Sequence, residues 1–267
     1  FDINIAGYAQ GSPPTYWAPY KNPKLTWNSQ IENICEEIPG EYLTDRLTTE
    51  AIHFIEDHKE RQFFIYLSHY AVHTPLMAPD SIVQKFKKKM ESDHTQKSAV
   101  YAAMIESVDN GVGRILSKLD SLRIADNTII ILCGDNGGES EATSNAPLRE
   151  GKGFLYEGGI RIPMIIKWPG HIKAGTTCDE PVIGSDLYPT IMQMIGKGVR
   201  PAKDIDGKSL LPLLLGKKKN LHSELCWFYP QYSPQAQMPG GAIRKGDYKL
   251  IEFYDPQKIE LYNLKND

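Results

Sequence analysis

The sequence lacks the features that would assign it at once to several common classes. Its four cysteines, Cys35, Cys133, Cys178 and Cys226, form no Cys-x-x-Cys pair, which disfavours a zinc knuckle or a thioredoxin-type site. It has no apolar run of membrane-spanning length. With 30 basic and 33 acidic residues the formal net charge is -3, so there is no polybasic footprint for nucleic acid. We therefore expect neither a membrane span nor a nucleic-acid partner.

The composition is that of an ordinary globular protein. Of 267 residues, 41% are hydrophobic and 24% are charged, which allows one large domain with a small appendage. Residues 1–40 contain prolines interleaved with tyrosine and tryptophan, which predicts a long irregular loop packed by its aromatic side chains. The alternative is that this segment forms a wall of a substrate pocket. The first residues carry no basic region, so no signal peptide is visible.

Hydrophobic periodicity predicts an α/β domain. Helices are expected over 42–58 and 98–122, each followed by an apolar strand, at 63–67 and 128–133. A further strand is expected over 160–168, and Ser185-Asp186 is expected to cap a helix. A helix that feeds a strand twice, through short connections, favours βαβ units and a mostly parallel sheet flanked by helices.

The pattern changes near residue 223, where short strands replace long helices. Strands are expected over 225–229, 241–245, 248–253 and 259–262, with Lys245-Gly246-Asp247 as a turn between two of them. These strands predict a small antiparallel sheet. We therefore divide the chain into an α/β domain at 1–221 and a small β subdomain at 222–267.

Polar side chains follow two of the predicted strands. Asp135 and Asn136 come after the buried strand that contains Cys133, a small core residue in this interpretation. Their oxygens suit Ca²⁺ or Mg²⁺ better than zinc, although an Asx turn explains them equally well. Lys152, between two glycines, could hold an oxyanion or lie in a solvent-exposed turn. His73 ends the 63–67 strand and could serve as a general acid, or as a structural hydrogen-bonding group.

Taken in order, these motifs resemble those of the sulfatases in the alkaline-phosphatase superfamily. The resemblance rests on 64–68 leading to His73-Thr74-Pro75, on Gly134-Asp135-Asn136-Gly137, on Gly151-Lys152-Gly153 with 156–163, on Trp168-Pro169-Gly170, and on 185–190 and 206–210. It covers nearly the whole chain. It implies the alkaline-phosphatase-like fold and hydrolysis of a sulfated carbohydrate or aryl sulfate to an alcohol and inorganic sulfate.

The resemblance also implies residue roles. Asp135 and Asn136 would be ligands of a catalytic Ca²⁺, Lys152 would bind the sulfate oxygens, and His73 would contact the ester and help protonate the leaving alcohol. Glu157 and Arg161 would be structural ion-pairing residues, and the segment 227–232 would border the pocket. The family nucleophile is a formylglycine, and the family location is periplasmic, secreted or lysosomal.

One part of the family pattern is absent. The formylglycine arises in a Cys/Ser-x-Pro-x-Arg context, which does not occur in this sequence. We therefore expect a sulfatase fragment that lacks its nucleophile region and is inactive alone. Two alternatives stay open: a phosphodiesterase or phosphonate hydrolase of the same superfamily, and a non-catalytic module that binds sulfated glycans. Asn136 disfavours the first, because its amide oxygen is a poor ligand for soft metals.

Overall fold

The computed structural model of the protein describes residues 1–27, 29–34, 38–92, 96–196, 204–217, 219–235 and 238–266. Its α-helices are α1 (Leu43–His58), α2 (Asp80–Met90), α3 (Ala99–Ser121), α4 (Glu157–Ile160), α5 (Leu187–Met194) and α6 (Leu211–Leu214). Its strands are β1 (Ile130–Cys133), β2 (Met164–Lys167), β3 (Leu225–Tyr229), β4 (Gly240–Lys245), β5 (Tyr248–Tyr254) and β6 (Gln257–Asn263). The chain divides into two compact units, one of residues 1–128 with 141–144 and one of 129–140 with 145–267.

The first unit is built on the helices that the periodicity predicts. Helices α1 and α2 both pack against α3. Ser98 caps α3, since its hydroxyl oxygen accepts a hydrogen bond from the Tyr101 backbone N–H at 3.2 Å. Met104 and Leu119 on α3 are buried. Helical amphipathicity thus accounts for most of this unit's regular structure.

The described part of residues 1–40 is irregular and packed by aromatic side chains, as predicted. Tyr16 and Tyr20 are completely buried. The Tyr16 ring stacks on that of Tyr42 with centroids 5.8 Å apart, which ties the loop to the start of α1. The buried residues of this core are Ala6, Tyr16, Tyr20, Ile31, Tyr42, Leu43, Leu47 and Met104.

The strand predicted at residues 63–67 is not formed in the described structure. The segment alternates between half-buried and exposed side chains, and Phe64 and Tyr66 are 56% and 73% exposed. The prediction fails because a strand requires a hydrogen-bonded neighbour, and no strand of the described ranges pairs with this segment. The ring of Phe1 stacks on Phe64, with centroids 5.8 Å apart.

Strand β1 differs from its prediction in pairing and in burial. It pairs antiparallel with β2, from Ile130 opposite Lys167 to Cys133 opposite Met164, and the described ranges contain no parallel pair. Leu132 and Cys133 are exposed, so the interpretation of Cys133 as a core residue is wrong. The reason is that β2 is the only described strand beside β1, and it leaves these side chains uncovered.

The side-chain cap predicted at Ser185-Asp186 does not form on α5. Asp186 is completely buried and precedes α5, but its carboxylate does not bond the first turn of that helix. It accepts hydrogen bonds from the Ile183 N–H at 3.0 Å, the Lys208 N–H at 2.7 Å and the His222 Nε2 at 2.8 Å. One carboxylate thereby joins three segments of the second unit, which satisfies its buried charge.

The small C-terminal antiparallel sheet is confirmed, with strand order β3-β4-β5-β6. Alternate residues on its inner face, including Ala242, Ile251 and Phe253, pack against Leu155 and Tyr156. The α/β class with this appended sheet is therefore as predicted. The domain boundary at 221/222 stays a prediction. Among the described residues, the helices are too short or too polar to cross a membrane.

Candidate functional site

Asp135 and Asn136 follow β1 in the second unit, and their side chains behave differently. Asp135 is exposed, and its Oδ1 accepts a hydrogen bond from the Asn136 backbone N–H at 2.9 Å. Asn136 is half-buried, and its Oδ1 is fully buried without a hydrogen-bond partner in the described structure. A local bond to the backbone therefore accounts for the Asp135 carboxylate but not for the Asn136 amide oxygen.

The unpartnered oxygen of Asn136 fits a hard cation. Buried amide oxygens are almost always hydrogen-bonded, so a buried amide oxygen without a hydrogen-bond partner indicates a binding site for a ligand. A neutral amide oxygen beside a carboxylate is a donor pair suited to Ca²⁺ or Mg²⁺. In the described ranges no group of three or more His, Cys, Asp and Glu side chains could hold a metal. The two residues can thus supply two ligands, and further ligands must come from elsewhere.

Lys152 lies on a glycine loop that is bonded to the Asp135–Asn136 loop. Its backbone N–H donates to the Gly138 carbonyl oxygen at 3.0 Å. The side chain is half-buried, and within the described residues its ammonium group has no ion-pair partner. Gly153 adopts φ +87°, a left-handed conformation that favours glycine. The loop therefore carries a cation without an ion-pair partner in the described ranges, and it is hydrogen-bonded to the loop of the possible metal ligands, which suits the binding of an oxyanion.

Asn145 is a positioning residue that the sequence analysis missed. Its Oδ1 accepts from the Gly138 N–H and its Nδ2 donates to the Gly138 carbonyl, both at 2.9 Å. A Cβ at Gly151 would lie 2.5 Å from the Asn145 Nδ2, so the glycine loop packs directly on this amide. The surrounding Ser-Asn-Ala-Pro sequence was a usable signal of such a turn.

A second missed contact comes from the segment after β3. A Cβ at Gly153 would lie 2.5 Å from Ser233 Oγ and 2.7 Å from Gln235 Oε1. Gln235 also donates from Nε2 to Glu139 Oε2 at 3.1 Å. Gly153, next to Lys152, is therefore packed by Ser233 and Gln235, just beyond the segment 227–232 that the resemblance implies as a pocket border.

His73 lies in the first unit, where a tyrosine fixes its backbone. The fully buried Tyr16 donates from its hydroxyl to the His73 carbonyl at 2.9 Å. The half-buried imidazole has Nδ1 3.1 Å from the Thr74 carbonyl oxygen and 3.3 Å from the Thr74 hydroxyl oxygen, and Nε2 is the ring nitrogen that Thr74 leaves free. The structure thus places Asp135, Asn136 and Lys152 in one unit and His73 in the other.

His69 lies on the same loop as His73, and its ring nitrogens are buried. Both nitrogens have no hydrogen-bond partner among the described residues. Burial lowers the pKa of His69 from 6.5 to about 4, because desolvation disfavours the imidazolium. The side chain is therefore neutral at pH 7, and its sequence context carried no signal of this.

Comparison with known proteins gives the family. The Sulfatase family model matches residues 7–197, and the model of the N-sulphoglucosamine sulphohydrolase C-terminal region matches residues 151–267. A sulfatase of Formosa agariphila is 34% identical over 292 residues, and human steryl-sulfatase is 36% identical over 207 residues. The crystal structure of Ps i-CgsB in complex with k-i-k-neocarrahexaose is 32% identical, with a TM-score of 0.75.

The comparisons cover most of this chain but only part of each relative. The alignments include 100%, 74% and 87% of the chain, against 52% of the Formosa agariphila protein, 34% of the human protein and 51% of the Ps i-CgsB chain. The chain therefore spans about half the length of the first relative and about a third of the second. The likeness to solved sulfatases establishes an alkaline-phosphatase-like α/β fold, and the chain belongs to the sulfatase family.

Proposed function

We propose that this chain is part of a sulfuric ester hydrolase that releases inorganic sulfate. The observation that carries the proposal is the buried, unpartnered Oδ1 of Asn136 beside Asp135, on a loop hydrogen-bonded to that of Lys152. Carboxylate, amide oxygen and ammonium together provide for a hard cation with an oxyanion beside it. Membership of the sulfatase family supports sulfate as that oxyanion.

Each residue has a distinct role in this proposal. Asp135 and Asn136 hold Ca²⁺, which when bound offsets negative charge on the sulfate oxygens. Lys152 binds one sulfate oxygen through its ammonium group and stabilises charge there. For His73, whose support is the family resemblance, we propose protonation of the leaving alcohol oxygen from Nε2. A formylglycine nucleophile would come from sequence that this chain does not contain.

The substrate class we propose is a sulfated carbohydrate or an aryl sulfate. A relative at 32% identity was solved with a neocarrahexaose, and another relative is named for steryl sulfate. The segment 233–235, packed on Gly153, is where contacts to the remainder of such a substrate would be made. A periplasmic, secreted or lysosomal location follows the same family resemblance.

The test is hydrolysis of a chromogenic aryl sulfate by the protein encoded by the whole reading frame. We expect turnover that Lys152→Ala lowers by about 10²–10³-fold, as for other groups that stabilise developing charge. We expect no turnover by the 267-residue chain alone. Hydrolysis by this chain, abolished by His73→Ala, would contradict the assignment of the nucleophile. The upstream coding sequence separates the enzyme, which needs a Cys/Ser-x-Pro-x-Arg motif, from a glycan-binding module that needs none.

The rival enzyme is a phosphodiesterase or phosphonate hydrolase of the same superfamily. Such enzymes use softer metals, for which the amide oxygen of Asn136 is a poor ligand. Metal analysis of the full-length protein distinguishes the two functions. Stoichiometric calcium supports the sulfatase, and stoichiometric zinc would instead support the phosphodiesterase or phosphonate hydrolase.

A further inference from the structure

Lys249 is a buried charge in the second unit that the proposed function does not use. It lies on the inner face of β5, is 1% exposed, and its Nζ is 2.9 Å from Glu157 Oε1. The Arg244 guanidinium lies 3.8 Å from the other oxygen of Glu157, and the Lys249 Nζ lies 5.4 Å from the centre of the Trp227 ring. Desolvation lowers the pKa of Lys249, and its hydrogen bond to Glu157 opposes this effect.

Stability of the sheet alone does not account for this lysine. An apolar side chain of similar length would pack on the inner face beside Ile251 without the cost of burying a charge. A buried ion pair of this kind is better explained by the partner it fixes. That partner, Glu157, is the first residue of α4 and the only charged residue in it.

Both loops of the candidate site are bonded to the turn that α4 forms. The Gly137 N–H donates to the Gly159 carbonyl at 2.8 Å, and the Gly158 N–H donates to the Arg149 carbonyl at 2.8 Å. A Cβ at Gly159 would lie 2.5 Å from the Gly151 carbonyl oxygen, so the Lys152 loop wraps directly on this turn. Because Gly158 and Gly159 have no side chains, the turn has few anchors of its own.

We propose that Lys249 is a positioning residue, which through Glu157 fixes the turn of α4 and thereby the loops that carry Asn136 and Lys152. This inference rests on the proposed function, since it gives Lys249 a purpose at the cation and oxyanion site. In this inference the C-terminal sheet shapes the site through Lys249, which does not itself contact the substrate.

The test is amide hydrogen exchange of the ¹⁵N-labelled chain, read at Gly137 and Lys152. Lys249→Met should speed exchange at these two amides by about tenfold or more, beyond any change in the paired amides of β4 and β5. Lys249→Arg should restore slow exchange because it can keep the pair. Ile251→Val is the control. Ile251 is fully buried on the same strand, but its apolar side chain cannot form the hydrogen bond to Glu157 that Lys249 forms. This control should change exchange at Gly137 and Lys152 to the same extent as at the paired amides of β4 and β5.

A double-mutant cycle with Glu157→Gln separates positioning from general destabilisation. If Lys249 acts through Glu157, Lys249→Met should have little additional effect on these amides in the Glu157→Gln background. An undiminished effect, or uniform acceleration over the whole second unit, overturns the proposal. Calcium affinity, read from the amide shifts of residues 134–138, should fall in parallel with the faster exchange. If the protein encoded by the whole reading frame binds no calcium, the proposed function fails, whereas the exchange at Gly137 and Lys152 still decides the role of Lys249.

Discussion

The loop of residues 69–75 and the loop of residues 134–138 are held by different forces. The first lies on a core of buried aromatic rings, where hydroxyl groups reach backbone carbonyls: Tyr16 bonds His73, and Tyr70 bonds Ala6. The second is held by close backbone contacts between glycines and by the side chains of Asn145 and Lys249. Apolar burial thus fixes the loop of residues 69–75, and polar or charged groups fix the loop of residues 134–138.

The two loops therefore depend on different interactions for their stability. Aromatic packing responds to lost volume and lost hydroxyl groups but little to charge. Glycine contacts respond to a single added methyl group, and buried ion pairs respond to the loss of one partner. Each of the following predictions perturbs one unit and compares it with the other unit or with a control substitution.

The largest effect is expected at Gly137. A Cβ there would overlap the carbonyl oxygen of Gly158, which is backbone and cannot turn aside. Gly137→Ala should lower the free energy of unfolding of the second unit by about 3 kcal/mol or more. Gly113→Ala is the control, since this helical glycine has open space and alanine there should stabilise α3 by up to about 1 kcal/mol. Urea unfolding measures both variants, and equal stabilities would contradict the close packing.

Acid should weaken the first unit before the second. The folded chain protonates His69 only near pH 4, whereas the unfolded chain protonates it near 6.5. The contribution of neutral His69 to the free energy of unfolding is therefore complete above about pH 6.5. It is lost as the pH falls toward 4, and the loss amounts to ~3 kcal/mol. Hydrogen exchange with mass spectrometry should show this loss in the first unit, and His69→Phe should abolish the slope.

In the second unit the corresponding group is Glu260. Its burial raises the pKa, but hydrogen bonds from Lys258, Tyr262 and Tyr156 prevail and lower the pKa from 4.5 to about 2. Its contribution is present above pH 4.5 and lost as the pH falls toward 2. If both units lose protection in the same pH range, this contrast is wrong.

A smaller effect is expected from the hydroxyl group that fixes His73. Tyr16→Phe leaves the Tyr42 stacking in place but removes the donor to the buried His73 carbonyl. The first unit should lose about 1–2 kcal/mol of unfolding free energy. Tyr66→Phe is the matched control, because the Tyr66 ring is exposed and its hydroxyl makes no hydrogen bond in the described structure. Thermal unfolding of the two variants gives the comparison.

The smallest change in stability is expected at Asn136, and its sign is unusual. Asn136→Ala removes a buried oxygen that has no partner, so metal-free stability should stay constant or rise by about 0.5–1 kcal/mol. Asn145→Ala, in the same unit, removes two hydrogen bonds to Gly138 and should cost about 1–3 kcal/mol. Urea unfolding without calcium measures both. A large loss of stability in Asn136→Ala would show that Asn136 is structural.

Local sequence patterns predict the elements whose stability is local. The helix α3 and the strands β3 to β6 follow from spacing and turn residues, and both were predicted close to their observed bounds. The segment 63–67 and the pairing of β1 were predicted wrongly. Apolar content indicates that a segment is buried or extended, but it does not identify the neighbouring strand.

The candidate site shows the same division. Asp135, Asn136 and Lys152 were proposed from residue type and position at the end of a strand. Asn145 and Lys249 were missed because their roles depend on contacts with Gly138 and Glu157, the latter 92 residues away. The burial of the Asn136 oxygen, on which the proposed function rests, is a property of packing and was not accessible from the sequence.

The most direct test of this account is a calcium titration of the ¹⁵N-labelled protein encoded by the whole reading frame, followed at the side-chain amide of Asn136. We predict a saturable shift of this resonance and of the backbone amides of residues 134–138, which Asp135→Ala weakens and Asn136→Ala abolishes. The amides of residues 69–75 should not move. No shift at residues 134–138 up to about 10 mM calcium, tenfold above the weakest protein calcium sites, would contradict the account.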